Sequence, residues 1–252
     1  MADLHDVVSW CDERTRRKAI RDFPGAENGL QFENSGKVTR IGAAVDGGMP
    51  SFRDAAAAGV DFLIVHHGML WRPPVPVVGP MRTKLGLLFE HDLALYGSHL
   101  PLDCHPEIGN NALLAQALGL AVDGWWLEYE GTAIAAWADP KGVSRNELED
   151  RLRQLFPETF ISIPGGPELP RRIGILTGSG QSAVSRMAAE GIDTLITGEL
   201  KQDHYTYALE HGLNLLLAGH YATETFGVRA LAEECAGHFG LPWTFLDQPC
   251  PL

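Results

Sequence analysis

The sequence predicts an α/β protein of two similar α/β domains, an internal duplication with a metal site in the cleft between them. Three observations predict it. Strand-like and helix-like segments alternate along both halves. The halves match residue by residue at a fixed offset. The His, Asp and Glu residues of each half gather just after its strands, where open parallel sheets bind ligands.

Taken in order, residues 3–20 read as an amphipathic helix with Leu4, Val7, Val8, Cys11 and Ile20 on one face. Residues 38–45 read as a strand, 51–58 as an alanine-rich helix stopped by Gly59, and 61–65 as a buried strand ending before His66. A loop with Pro73, Pro74, Pro76 and Pro80 follows. A helix near 81–91, a strand at 93–97 and a helix from Asn110 complete a βαβαβ pattern. Residues 125–163 read as two or three strands and a helix at 144–155. The second half then repeats the order, with strands at 172–176, 193–197 and 213–218 and helices near 181–190, near 202–210 and from about 222. The terminal Pro242–Leu246 run reads as an edge strand returning to the first half. The expected domains are therefore 1–124, joined by 227–252, and 125–226.

Arg40-Ile41-Gly42 precedes Arg172-Ile173-Gly174 by 132 positions. At the same offset Gly48 meets Gly180, Gly59 meets Gly191, Asp61 meets Asp193, and His67 meets Glu199. With one inserted residue, His91–Asp103 aligns with His211–Glu224, so that His99 meets His220 and Asp103 meets Glu224.

The bulk composition narrows the function. The 252 residues are 45% hydrophobic and 21% charged, which fits an ordered globular chain. The net charge of −12 argues against a duplex nucleic-acid partner, which needs cations to displace counterions. Four cysteines without a CxxC pair read as reduced thiols in a cytoplasmic protein. No apolar leader and no run near the roughly 18 residues of a membrane helix is visible.

The polar residues after the strands suit a metal. His66 and His67, Asp103, and His220 with Glu224 offer imidazole and carboxylate donors for Zn, Fe, Mn, Co or Ni. Five ligands serve two ions if a carboxylate bridges. Against this stand the plain readings, in which a strand-end His is ordinary and His-x-x-x-Glu is a surface pair. Their shared placement in two repeats favours the metal. His5, His91, His211 and His238 lack that placement; His105 and Cys104 lie beside it, and Cys104 reads as packed. The Thr177–Ser182 segment reads as a tight turn, with a phosphate cradle as the alternative.

FLIVHHGMLW, SHLPLDCHPEIGNNALLAQALGL, GILTGSGQ and the long run from GIDTLITGEL to GHYATETFGVRALAE resemble the Nif-three-like dinuclear metal-centre proteins, also called GTP cyclohydrolase 1 type 2 homologues. The likeness runs along almost the whole chain. It implies two α/β domains, two divalent ions per chain on His66, His67, Asp103, His220 and Glu224, and a homohexamer. It places His99, Glu199 and His204 along such a site, as groups that orient a ligand or exchange a proton. It implies a hydrolase acting on a nucleotide or phosphoester through a metal-activated water; the alternative is a non-enzymatic metal-binding regulatory or scaffold protein. Two departures stand out. Gly68 replaces the Pro that often follows His-His, and Leu100 replaces the Thr that often follows the position of His99, with a hydrogen bond at stake.

Overall fold

The computed structural model describes residues 1–71 and 76–250. Pro73 and Pro74 of the expected loop lie outside the described residues. The chain forms two compact units, residues 1–102 with 227–248, and residues 103–226 with the C-terminal end.

The first unit begins with β1 (Ala2–Asp3) and α1 (Leu4–Arg14). Asp3 caps α1 by accepting from the His5 amide, and Leu4, Val7 and Cys11 form its buried face. The helix stops short of residue 20, because Thr15 Oγ1 turns back onto the Cys11 carbonyl and Arg16 takes a left-handed φ of 53°. Then come β2 (Gly29–Phe32), β3 (Lys37–Val38), β4 (Ile41–Asp46), α2 (Met49–Ala57), β5 (Phe62–His67), α3 (Pro80–Glu90), β6 (Ala94–Gly97) and α4 (Leu100–Asp103). Strand β5 runs through both histidines, past the boundary expected at Val65. The sequence pattern shows no sign of β2, which pairs antiparallel with β6.

The second unit follows with α5 (Asn110–Ala117), β7 (Gly124–Tyr129), β8 (Thr132–Ala138), α6 (Arg145–Leu155), β9 (Ile161–Pro164), β10 (Ile173–Ser179), α7 (Gln181–Val184), β11 (Thr194–Glu199), α8 (Asp203–His211), β12 (Asn214–Leu217) and α9 (His220–Thr223). A capping box between Ser144 and Glu147 starts α6. The expected helix at 181–190 is only the one turn of α7 followed by turns. The chain returns to the first unit along α10 (Thr225–Phe239) and ends its sheet with β13 (Trp243–Phe245), parallel to β4, which is the edge strand expected from Pro242–Leu246. The unit boundary falls after Leu102 rather than after residue 124. The reason is α5, whose Leu114 and Ala115 pack with Ile173, Ile175 and Leu216 of the second sheet.

The sheet orders are β13-β4-β5-β6-β2 and β7-β8-β10-β11-β12-β9. Their central strands share one register. Ile41 pairs with Phe62 and Gly42 with Leu63, as Ile173 pairs with Thr194 and Gly174 with Leu195, each 132 positions on. The loops repeat too. Asp61 accepts from the Thr39 amide at 2.9 Å, and Asp193 from the Arg171 amide at 3.1 Å. The Val60 amide bonds the Ala55 carbonyl and the Ile192 amide bonds the Met187 carbonyl, both at 2.9 Å. Gly59 and Gly191 both have a φ of +67°, a conformation that side chains resist. So many matched hydrogen bonds at one offset establish the duplication. Helix α2 covers one face of the first sheet, with Phe52, Leu63, Val65, Leu88 and Leu95 as its core.

Candidate metal centre

Strands β5 and β6 of the first unit bring His66, His67 and His99 together. Their nearest ring nitrogens all lie within 4.8 Å of one another. The ring centroids of His66 stand 4.8 Å from His67 and 4.9 Å from His99. Each ring is held at Nδ1 by an oxygen. The Ser98 carbonyl lies 2.9 Å from His66 Nδ1, Asp46 Oδ1 lies 2.9 Å from His67 Nδ1, and Asp22 Oδ1 lies 2.8 Å from His99 Nδ1. A carbonyl or carboxylate oxygen only accepts, so a neutral ring in each position carries its proton on Nδ1 and turns the Nε2 lone pair outward. His66 and His99 are buried, and Trp71 stands edge-on to His99 with centroids 4.4 Å apart.

The second unit builds its own cluster at the ends of β11 and β12. His220 Nδ1 lies 3.1 Å from Glu199 Oε1, and His220 Nε2 lies 3.3 Å from Glu224 Oε2. His220 and Glu224 are four apart, as expected for one helix face, although the helix breaks between α9 and α10. Burial pushes the His220 pKa down, but the hydrogen bond and charge of Glu224, and then of Glu199, outweigh it and raise it to about 9. The buried Asp103 accepts from Asn110 Nδ2 at 2.8 Å and lies 3.3 Å from Thr177 Oγ1.

The glycine-rich turn serves this cluster as a close-approach point. A Cβ on Gly178 would run into the Glu224 carboxylate and meet His220 Nε2 at 3.1 Å. The Gly178 amide donates to Thr223 Oγ1 and the Gly180 amide to the Glu199 carbonyl. Those two amides are engaged within the fold, as a tight turn requires. The donors of both clusters are imidazole nitrogens and carboxylate oxygens, with second partners already fixing the rings. That set, and the space left at Gly178, fit a divalent ion of the Zn, Fe, Mn, Co or Ni group.

His204 sits on α8, where its Nδ1 lies 3.2 Å from the Lys201 carbonyl and it lines a shallow pocket with Val184, Ser185, Asp203 and Tyr207. His105 is a local device, because its Nδ1 accepts from the amides of Glu107 and Ile108. The sequence reasoning missed Asp22, Asp46, Ser98 and Trp71. Only Asp46 carried a signal, since it ends the strand beside His67 in the βαβ unit.

The model for Duf34/NIF3 (NGG1p interacting factor 3) matches residues 2–251. The chain belongs to the Duf34/NIF3 family. It is 39% identical over 248 residues to a GTP cyclohydrolase 1 type 2 homolog of Deinococcus radiodurans, covering 98% of this chain and 94% of the relative. It is 38% identical to a protein of the same name from Escherichia coli, with 98% of each covered. A crystal structure from Thermus thermophilus matches at a TM-score of 0.90 and 39% identity over 100% of both chains.

Where the Duf34/NIF3 pattern often has Pro, Gly68 leaves room for Gln31, whose side chain a Cβ there would strike. Gln31 Oε1 accepts from the Leu70 amide at 3.0 Å and so ties β2 to the segment after His67. At the other departure, the Leu100 amide donates to Asp22 Oδ2 at 2.9 Å, a bond that does not depend on the side chain at that position.

Proposed function

We propose that this Duf34/NIF3 protein binds two divalent ions per chain, on His66 and His67 of the first unit and on Asp103, His220 and Glu224 of the second. The observation that carries this is the state of the imidazoles. His66, His67 and His220 each have Nδ1 against an oxygen acceptor, at 2.9, 2.9 and 3.1 Å. For His66 and His67 that turns Nε2 outward as the ligating atom, the pattern of metal-binding histidines, while His220 Nε2 faces Glu224 Oε2 at 3.3 Å and must release its proton to ligate.

The proposed activity is hydrolysis of a nucleotide or phosphoester. Ions bound there supply Lewis acidity and make hydroxide available near neutral pH. Glu199 holds the His220 ring, and Trp71 offers an aromatic edge beside His99 for a planar substrate. His204 is the candidate to exchange a proton with the leaving group, while His99 stands within the imidazole cluster. The name shared by the Deinococcus and Escherichia relatives points to a purine nucleotide. Turnover of a nucleotide and phosphoester panel by metal-loaded protein tests this, beside a Glu224→Ala control. Metal uptake with no turnover on any member would favour the alternative reading of a metal-binding regulatory or scaffold protein. Burial of His66, Asp103 and Glu224, all under a tenth exposed, is the observation on that side.

We also propose self-association, with the hexamer as the expected state. Ile161 on the edge strand β9 is 58% exposed, and Tyr205 and Leu209 on the neighbouring α8 are 53% and 47% exposed. Apolar side chains on an unpaired strand edge invite a second copy. Light scattering that returns a monomer mass at every concentration would contradict it. No described helix is long and apolar enough to cross a membrane.

A further inference from the structure

Asp22 lies far from the metal-centre motifs in sequence, yet it accepts four hydrogen bonds at their edge. Its Oδ1 takes the Phe23 amide at 2.6 Å and His99 Nδ1 at 2.8 Å. Its Oδ2 takes Asn28 Nδ2 at 2.7 Å and the Leu100 amide at 2.9 Å. The Asp22 side chain is only 4% exposed. Asn28 closes the arrangement, because its Oδ1 accepts from the His99 amide at 2.7 Å.

We infer that Asp22 is a positioning residue of the centre: it locks His99 as the Nδ1–H tautomer, so that His99 Nε2 is a third imidazole donor beside His66 and His67. The inference rests on the metal-binding reading above. A neutral imidazole holds its proton on either nitrogen, and the partner of one nitrogen decides the state of the other. A carboxylate only accepts, so it permits a single answer at Nδ1. Ring rotation is restricted as well. Phe23 packs against His99 with centroids 5.8 Å apart, and Trp71 closes the other approach at 4.4 Å.

The four donors also determine what Asn does at this position. An amide has one oxygen and one NH2, so the NH2 must face either the Oδ1 donors or the Oδ2 donors. Facing Oδ2, it opposes the Asn28 NH2 and the Leu100 amide, neither of which can become an acceptor while Asn28 Oδ1 holds the His99 amide. Facing Oδ1, it opposes the Phe23 amide and His99, and His99 can adapt by moving its proton to Nε2. Asp22→Asn therefore places the NH2 toward His99 and removes the Nε2 lone pair. A carboxylate-to-amide change next to a catalytic His in serine proteases has this same consequence.

The test is two-bond proton–nitrogen correlation NMR on histidine-labelled, full-length, metal-free protein, with divalent-ion affinity measured in parallel by titration with Co(II). The wild type should show His99 protonated at Nδ1 and bare at Nε2. Asp22→Asn should reverse this and weaken Co(II) binding by about tenfold. Asp22→Glu, which restores an acceptor-only group, should recover the Nδ1–H state. A wild-type His99 protonated at Nε2 overturns the inference, and that measurement decides even if Asp22→Asn does not fold. An unchanged tautomer in folded Asp22→Asn, or unchanged Co(II) affinity despite a reversed tautomer, also overturns it. Failure of the wild type to take up any divalent ion would instead overturn the metal-binding reading, and is seen in the titration alone.

Discussion

Glu199 Oε1 lies 3.1 Å from His220 Nδ1, so the last residue of β11 orients the first residue of α9. A carboxylate behind an imidazole keeps the ring turned and raises its basicity. Glu199→Gln keeps an acceptor oxygen but removes the charge. Divalent-ion affinity should fall by about tenfold, with full loading regained in excess metal. Isothermal titration checks this, and an affinity equal to the wild type would remove Glu199 from the site.

Gly178→Ala should be far more damaging than Gly191→Ala. Both glycines have positive φ, +65° and +67°, so both variants carry the left-handed cost of roughly 1–2 kcal/mol. Only at Gly178 does the new Cβ also meet the Glu224 carboxylate and His220, whereas Gly191 has nothing within 4 Å. Urea unfolding should show the larger loss at 178, and metal content should fall at 178 alone.

Asp22 also sets a pH dependence. Burial pushes its carboxyl pKa up, but the His99 hydrogen bond and charge, with Asn28 and the Phe23 amide, outweigh it and hold it below the ordinary value. A depressed carboxyl stabilises the fold above its unfolded pKa of about 3.9, and that contribution is lost as pH falls through the folded pKa. Asp22→Asn should therefore be less stable than the wild type at pH 7, with the gap narrowing as the pH drops below about 4. Denaturant melts at a series of pH values would show the convergence, and a constant gap would contradict it.

The duplicated strand-entry carboxylates give a paired comparison. Asp193 is 3% exposed and accepts from the Arg171 amide and Nε, while its counterpart Asp61 is less buried and accepts from the amides of Thr39 and Arg40 and from Thr39 Oγ1. Alanine at either position strands backbone donors and should cost about 1–3 kcal/mol. The loss should be larger at Asp193, where water is less able to replace the carboxylate. Equal losses would show that burial does not decide the cost.

Elemental analysis after reconstitution should return close to two divalent ions per chain, falling in Glu224→Ala. One ion that survives Glu224→Ala would confine binding to the first unit's imidazoles.

Much of this protein is legible in the sequence because its signals are local or periodic. Strand alternation with helices marks β4, β5, β6 and their copies β10, β11 and β12, and the offset of 132 shows the duplication directly. His67 and Glu199, at matched strand ends, follow from that offset without any coordinates. Element ends were less legible. Strand β5 extends through His67, and α1 stops at Arg14 because of the Thr15 side chain and the backbone of Arg16, neither of which alters hydrophobic periodicity.

Tertiary structure alone decided which nitrogen each histidine presents and what holds the other. Asp22 is 77 positions before His99, and the Ser98 carbonyl that fixes His66 belongs to the adjacent strand's exit. It also decided that residues 103–124 belong to the second unit, through the packing of Leu114 and Ala115 on β10 and β12. Periodicity reports which face of an element is buried. Hydrogen-bond partners distant in sequence are chosen by the register and packing that bring loops together, and no repeat along the chain encodes that choice.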